Sequence, residues 1–464
     1  MPERTYDVVV IGSGPAGLTT ALELGRKNRR VLVLEGGEEA FSDQSQDVYI
    51  GETIGDTYFD LDITRLRQFG GSSNHWGGFC RTLDASDFEK RLDSEILQWP
   101  IRKGDLDPYL ERTQEILEIE PQPEDRVFND AFGIRQIFWT FSPPVRFATK
   151  YRDELAQSQT IDLCLGANLT GFDVVDDLVS GVRVSDYGGN AVTVSGDTYV
   201  LACGGLENSR VLLAANREHG GKFVDPRTPL GRYWMEHPHF WVGNLVLPDD
   251  FPEDSVFGLT ADEQARLGIL NCGLRVGRIK EMNRGWVKEA ASSIACIAPE
   301  LGQRTYAAFG RLLICGASVR AAWEQEPRFE NKVALSERDV DQFGIPRIEL
   351  NWSKSELDRE TVLMTFVQFG TFLAEEDIGR ARLSRWLRNG DAYPDDDELA
   401  GHHHMGGTRM ADRPDLGVVD RNCRAFGRRN LYVAGSSVFP TSGMANPTMT
   451  IVQLSLRLAD HLSA

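Results

Sequence analysis

The sequence predicts an α/β chain, α+β overall, with a second, discontinuous domain inserted into the first. Three adjoining observations lead there. Asp7-Val-Val-Val-Ile11 is an unbroken apolar, β-branched run, as a parallel strand buried on both faces shows. Gly12-Ser13-Gly14-Pro15-Ala16-Gly17 follows at once and leads into a helical stretch from Ala16 to Arg26. Arg30-Val-Leu-Val-Leu34 then supplies a second strand. The unit is βαβ, which favours parallel sheet.

Later segments read as returns to that sheet. Thr198-Tyr-Val-Leu-Ala202 is a strand ending in Cys203-Gly204-Gly205, with a helix from Glu207 to Asn216 behind it. Asn430-Leu-Tyr-Val-Ala434 is another, ending in Gly435-Ser436-Ser437. The last stretch, Pro447 to Leu462, has helical apolar spacing, with Asn446 as N-cap and Pro447 in the first turn. Between these lie two blocks of different character. Residues 81–150 hold a helix over Pro108–Ile119; residues 226–400 carry many aromatics and strand-like stretches at 266–276, 331–337 and 345–352. The expected division is 1–80, 151–225 and 401–464 in the first domain, and 81–150 and 226–400 in the second, built on an antiparallel or mixed sheet.

A chain of 464 residues has room for this at roughly 100–200 residues per domain. No apolar run approaches the ~18 residues of a membrane helix. Met1-Pro-Glu-Arg-Thr-Tyr6 leads straight into a strand and does not read as a signal peptide. The seven cysteines show no CxxC spacing, so neither a zinc site nor a disulfide framework is indicated. A formal charge of −19 disfavours nucleic acid and anionic membranes as partners. The expectation is a cytoplasmic enzyme acting on neutral or cationic small molecules.

Three motifs carry chemistry. In the first turn, Gly12 allows the tight bend, Gly14 lets backbone approach a pyrophosphate, and Gly17 permits close helix–strand packing. The helix start offers free N–H groups and its positive dipole end to phosphates. Glu35 closes the second strand 18 residues beyond Gly17, near the ~20 expected of a ribose-binding acid. This is dinucleotide binding; the spacing leaves FAD and NAD both open. The second motif, Gly70-Gly71-Ser72-Ser73-Asn74-His75-Trp76-Gly77-Gly78, suggests backbone packed against a flat ligand. The third is Gly401-His402-His403-His404-Met405-Gly406-Gly407, with Asn446-Pro447-Thr448 placed 43 residues after His403. Adjacent histidines point in different directions and lack a carboxylate at ligand spacing, which argues against a metal. A neutral imidazole suits taking a proton from an alcohol. His237-Pro-His239 is a second pair, read as structural or cavity-lining.

Together these motifs resemble the glucose–methanol–choline (GMC) oxidoreductase family, nearly end to end. The similarity covers Gly12–Gly17, the loop Gly71–His75, Ala202-Cys-Gly-Gly-Leu-Glu-Asn208, Gly231-Arg-Tyr-Trp-Met-Glu-His237 and the His403…Asn446-Pro447 pair. Gly71–Trp76 and Gly443–Thr448 are similar to pyranose oxidase and bacterial FAD-dependent sugar dehydrogenases. The resemblance implies FAD, a p-hydroxybenzoate-hydroxylase-like substrate domain, and oxidation of a CH–OH group. His403 matches the family's catalytic histidine and Asn446 its partner. Cofactor contacts are expected at Gly12, Ser13, Gly14, Pro15, Ala16, Gly17, Glu35 and Gly36. They continue at Gly70, Gly71, Ser72, Asn74, His75, Trp76, Gly77 and Gly78, then at Leu169, Cys203, Gly204 and Asn208. Gly435, Ser436, Asn446, Pro447 and Thr448 complete the set. His75 falls where pyranose oxidase attaches its flavin covalently, but Asn74 replaces the threonine before it, so covalent and packed FAD both stay open.

The expected reaction oxidises a sugar, glycoside, polyol or other secondary alcohol, with His403 as base and hydride passing to flavin N5. Oxygen, a quinone or a redox protein would accept the electrons, and a homo-oligomer is allowed. The alternatives are a flavin-dependent lyase, isomerase or photochemical decarboxylase on the same scaffold, a non-catalytic FAD-binding subunit, and a NAD-dependent dehydrogenase.

Overall fold

The computed structural model describes residues 6–248, 251–252, 254–278, 317–395 and 400–464. Cys296, Cys315 and Asp396-Asp397 lie outside the described residues. The first strand, Tyr6–Ile11, sits at the centre of a five-stranded parallel sheet. Its order is Ile161–Cys164, Val31–Leu34, Tyr6–Ile11, Gly196–Leu201, Leu431–Val433. Both faces are covered, and Val9, Val10, Val33 and Val200 are fully buried. That double burial is why these strands read as continuous apolar runs. The helices Pro15–Arg26 and Thr448–Ser463 pack on each other against this sheet. An antiparallel meander, Asn168–Val175, Leu178–Ser185 and Ala191–Val194, fills the passage between two of the parallel strands.

The second core lies under a seven-stranded antiparallel sheet. Its order is Arg380–Leu383, His239–Val246, Ala317–Trp323, Cys272–Arg278, Ser255–Leu259, Ile134–Ile137, Arg126–Asn129. The helix Glu356–Glu375 covers one face with Phe366, Phe369 and Phe372, which pack among Phe240, Phe257 and Trp323. The Ser355 hydroxyl accepts from the Asp358 N–H at 3.0 Å and starts this helix with a capping box. Phe240 points into that core, so alternation turns His239 and Trp241 to the opposite face. A small third sheet, Lys332–Val340, Pro346–Trp352 and Gly51–Gly55, ties an early segment to a late one.

Several elements differ from the sequence reading. The stretch 266–276 is not one strand. Ala261–Leu267 is a helix capped by the Thr260 hydroxyl and closed by Gly268 at φ +69°, and the strand begins at Cys272. In the expected helix Pro108–Ile119, a 3₁₀ turn, Asp107–Tyr109, precedes an α-helix over Leu110–Leu117. The segment 81–150, read as part of the second domain, is shared. Leu83, Phe88, Trp99, Ile101, Leu106, Ile116 and Phe147 pack into the core of the parallel sheet. Only Arg126–Asn129 and Ile134–Ile137 join the antiparallel one. The cause is long-range: Trp99 packs against Phe439 and its indole N–H donates to the Thr441 hydroxyl at 2.8 Å. At the C-terminus Pro447, not Asn446, is the N-cap, because the Asn446 amide is engaged elsewhere.

Candidate active site

One long cavity follows the C-terminal edge of the parallel sheet. It runs from Glu35 and Gly36, past Gly12–Ala16 and the loop 75–79, to His402, His403 and Asn446–Thr448. Its empty space, counted to the open mouth, is about 1820 Å³. Gly12 adopts φ +106°, and a Cβ on Gly17 would stand 1.9 Å from the Gly12 carbonyl oxygen. The helix start is thereby pulled against the strand end. At Gly14 nothing lies within 4 Å of a Cβ position, so the backbone faces open space. Glu35 is held by the Ser13 N–H (2.9 Å), the Ser13 hydroxyl (2.7 Å) and the Gly37 N–H (2.7 Å). A glycine bend, an open helix N-terminus and an oriented carboxylate on one groove fit the pyrophosphate and ribose of a dinucleotide.

Most of the residues read from sequence line this cavity, and four do not. Gly17 is occupied by helix–strand contact. Gly70 bends at φ +86°, where a Cβ would meet the Ala148 nitrogen at 2.7 Å, and its N–H donates to the Ser13 hydroxyl at 3.1 Å. The Asn74 amide donates back to the carbonyls of Phe69 (2.8 Å) and Gly71 (3.0 Å) and closes its own loop. Asn208 is buried; it accepts from the Cys203 N–H at 2.8 Å and donates to the Ala434 carbonyl at 3.0 Å. These four support the wall from behind.

The sequence reading missed two cations. Arg65 lies 3.8 Å from the centre of the Tyr49 ring and pairs with Glu207 at 3.3 Å. Arg67 donates to the hydroxyls of Ser45 (3.1 Å) and Tyr187 (2.9 Å), beside Gly36. Both line the cavity, as do Tyr49, Thr64 and His402. The available signal was Thr64-Arg65-Leu66-Arg67, two alternating cations just before the glycine cluster.

At the far end the three adjacent histidines part company. The His402 ring stands edge-on to Phe59, with centres 4.6 Å apart. His404 is buried, with Nε2 3.2 Å from the Tyr58 hydroxyl. His403 lies between His237 and Asn446: its Nδ1 is 2.9 Å from His237 Nδ1, and its Nε2 is 3.1 Å from Asn446 Nδ2. His237 Nε2 is 2.7 Å from the Gly443 carbonyl oxygen, and Asn446 Oδ1 accepts from the Trp139 indole at 3.2 Å. Two backbone bonds between Met235 and Met405 hold the segments side by side. The buried Glu236 carboxylate spans both, accepting from the N–H groups of His237 (2.8 Å) and His403 (2.7 Å) and from the Tyr58 hydroxyl (2.6 Å).

Burial dominates the electrostatics here. It pushes His237 down to about 4 and His239 to about 3, and holds His403 and His404 well below the usual imidazole range. These rings are neutral near pH 7. Burial raises Glu236 to about 7, against the opposing effect of its hydrogen-bond donors. Among the described residues no three His, Cys, Asp or Glu side chains are grouped so as to hold a metal ion.

Comparison with known proteins agrees with this architecture. Residues 327–455 match the GMC oxidoreductase family, and residues 7–48 match an FAD binding domain. The chain is 23% identical to 2-methyl-1,2-propanediol dehydrogenase of Mycolicibacterium austroafricanum, over 98% of this chain and 95% of that protein. It is 23% identical to 6'''-hydroxyparomomycin C oxidase of Streptomyces lividus, over 100% and 93%. Among solved structures, pyridoxine 4-oxidase from Mesorbium loti superposes with a TM-score of 0.59 at 16% identity, covering 98% of this chain and 99% of that one. The C-terminal part of the chain is thus similar to the GMC oxidoreductases and its N-terminal part to an FAD binding domain, and the chain is an FAD-dependent enzyme. No helix among the described residues is long and apolar enough to cross a membrane.

Two outcomes follow from this geometry. Glu35→Ala removes the acceptor at the end of the second strand, so FAD should be lost on gel filtration while the wild type elutes yellow; equal flavin content in both would contradict the placement. The histidines give a pH signature. Unfolded, each imidazole titrates near ~6.5, so the unfolded chain takes up protons that the buried rings refuse. The histidines' contribution to stability is therefore full above that value and falls with pH towards 4, while Glu236, Asp87 and Asp358, each raised by burial to about 7, contribute in the opposite sense over the same window. A variant isolates the histidine part: the change in melting temperature from pH 7 to pH 4 should be less unfavourable in His239→Gln than in the wild type, and the same change in both would contradict the burial of His239.

Proposed function

We propose that this enzyme oxidises the CH–OH group of a sugar, glycoside or related polyol or secondary alcohol to a carbonyl, with His403 as base and Asn446 as hydrogen-bonding partner. The observation that carries the reading is the pairing of His403 Nε2 and Asn446 Nδ2, 3.1 Å apart, on the wall of the cavity that the dinucleotide motif opens. The relatives' names, a propanediol dehydrogenase and a hydroxyparomomycin oxidase, support an alcohol substrate. FAD, when bound, supplies the hydride acceptor.

The chain's own residues do the rest. His403, kept neutral by burial, takes the hydroxyl proton on Nε2: the substrate O–H bond breaks, an N–H bond forms, and the electron pair left on oxygen drives hydride from carbon. Asn446 donates its amide N–H to the substrate oxygen without a titrating charge of its own. Thr448–Ser463 begins at the cavity wall and turns its positive dipole end inward, worth about 1 kcal/mol to a negative charge there. From the antiparallel sheet, the His239 ring stands edge-on to His403 with centres 6.3 Å apart. Arg146 donates to the carbonyls of Ser73 (2.7 Å) and Trp76 (3.1 Å) and so pins the loop that presents His75. Burial and the Arg146 charge lower His75, which favours the neutral ring a covalent flavin link requires.

Anaerobic mixing with candidate alcohols tests the reading, because a true substrate bleaches the flavin. His403→Ala should slow bleaching by ~10²–10⁴-fold with flavin still bound. A large loss in His404→Ala and none in His403→Ala would move the base by one residue. Acid precipitation tests His75: yellow colour in the pellet, on a peptide containing His75, is the expected result, and free FAD in the supernatant excludes the link.

A further inference from the structure

In His237-Pro-His239, the His237 ring lies behind His403, with the two Nδ1 atoms 2.9 Å apart. It is one link in an unbroken series. In order run the Trp139 indole, the Asn446 amide, the His403 ring, the His237 ring and the Gly443 carbonyl, with separations of 3.2, 3.1, 2.9 and 2.7 Å; Asn446 and His403 line the cavity.

The ends of this series have single roles. An indole nitrogen can only donate, and a carbonyl oxygen can only accept. From the inner end, His237 must carry its proton on Nε2 to donate to Gly443. A neutral His237 then offers a lone pair at Nδ1, and His403 must donate to it from its own Nδ1. From the outer end, Trp139 must meet the Asn446 oxygen. The Asn446 nitrogen therefore faces His403 Nε2 and donates to it, so that Nε2 must be an acceptor. The two arguments start at opposite ends of the four links and agree on every one.

We infer that His237 and Trp139 are positioning residues that hold His403 in one tautomer, with the proton on Nδ1 and the lone pair on Nε2 turned to Asn446 at the cavity wall. The opposite tautomer would set two lone pairs against each other at His237 and two N–H groups against each other at Asn446. Burial keeps the His237 ring neutral, as the arrangement needs. When Nε2 takes a proton, the Nδ1–H stays bonded to His237, which stabilises the imidazolium, and the Asn446 N–H is released towards substrate oxygen. Glu236 completes the setting by anchoring the backbone of both histidines. The consequence for rate rests on His403 being the base; the tautomer does not.

The test is ¹⁵N spectroscopy of the holoenzyme labelled at histidine, with the His403 signals assigned by their loss in His403→Gln. The expected spectrum shows a protonated Nδ1 and an unprotonated Nε2 at His403. In His237→Phe the acceptor is gone, the pattern should shift to mixed tautomers, and anaerobic flavin reduction should slow by roughly tenfold to hundredfold, short of losing the base itself. His237→Gln can accept from His403 through its oxygen and donate to Gly443 through its nitrogen, and should restore both spectrum and rate. Should His237→Phe not fold, Trp139→Phe breaks the series at the other end and should also mix the tautomers. A wild-type His403 protonated on Nε2, or a Phe variant with unchanged spectrum and rate, overturns the inference. If the tautomer is as expected but His403→Ala still reduces flavin normally, the proposed base is wrong and the tautomer assignment stands.

Discussion

The carbonyl oxygen of Gly12 occupies the space that any side chain at position 17 would need, 1.9 Å from its Cβ. The same turn meets the fourth strand of the sheet: a Cβ on Gly12 would stand 2.4 Å from the Ala202 carbonyl oxygen. Two strands and a helix thus converge on a volume that only backbone fits. The helix start cannot retreat, so its free N–H groups stay at the cavity floor. Ser13, inside the turn, carries the constraint outward. Its hydroxyl donates to Glu35 and accepts from Gly70, which joins the second strand and the glycine-rich loop to the first strand.

From that floor the cavity reaches a centre built of neutral rings. Four side chains, drawn from separate stretches of chain at 139, 237, 403 and 446, hand one hydrogen-bond direction from the Trp139 indole to the Gly443 carbonyl. Such a series has meaning only if each segment is held to within a few tenths of an ångström. The paired backbone of Met235 and Met405 and the bridging Glu236 carboxylate provide that hold. A buried carboxylate is costly when unpartnered, and here three donors at 2.6–2.8 Å offset the cost.

Where the parts of the chain meet, buried charge sets their register. Arg210, almost fully buried, pairs with Glu207 at 2.7 Å and Asp341 at 2.5 Å, tying a helix of the parallel-sheet domain to the small third sheet. Arg91 and the fully buried Glu324 do the same for the segment around Trp99, at 2.5 Å. Pairs of this kind add little net stability compared with apolar packing, but removing one partner is expensive. They therefore select one arrangement of the segments, and the cavity wall depends on that arrangement.

The sequence by itself determined whatever depends on neighbours in the chain. The buried strands, the glycine turn, Glu35 at the next strand end and the helix behind Cys203 are all legible locally, because periodicity and turn chemistry act over a few residues. The family motifs extended this to His403 and Asn446. The Thr260 and Gly268 caps are local signals of the same kind, and they set a helix end at Leu267, inside the strand-like stretch 266–276. Tertiary structure alone decided what depends on distant segments. It brought Arg65 and Arg67 to the cavity, turned Asn74 and Asn208 away from it, and moved the segment around Trp99 into the parallel-sheet core. It also gave His237 a partner 166 positions away. A hydrogen bond between imidazoles is settled by sub-ångström placement of two side chains, and no local pattern in a sequence encodes that distance.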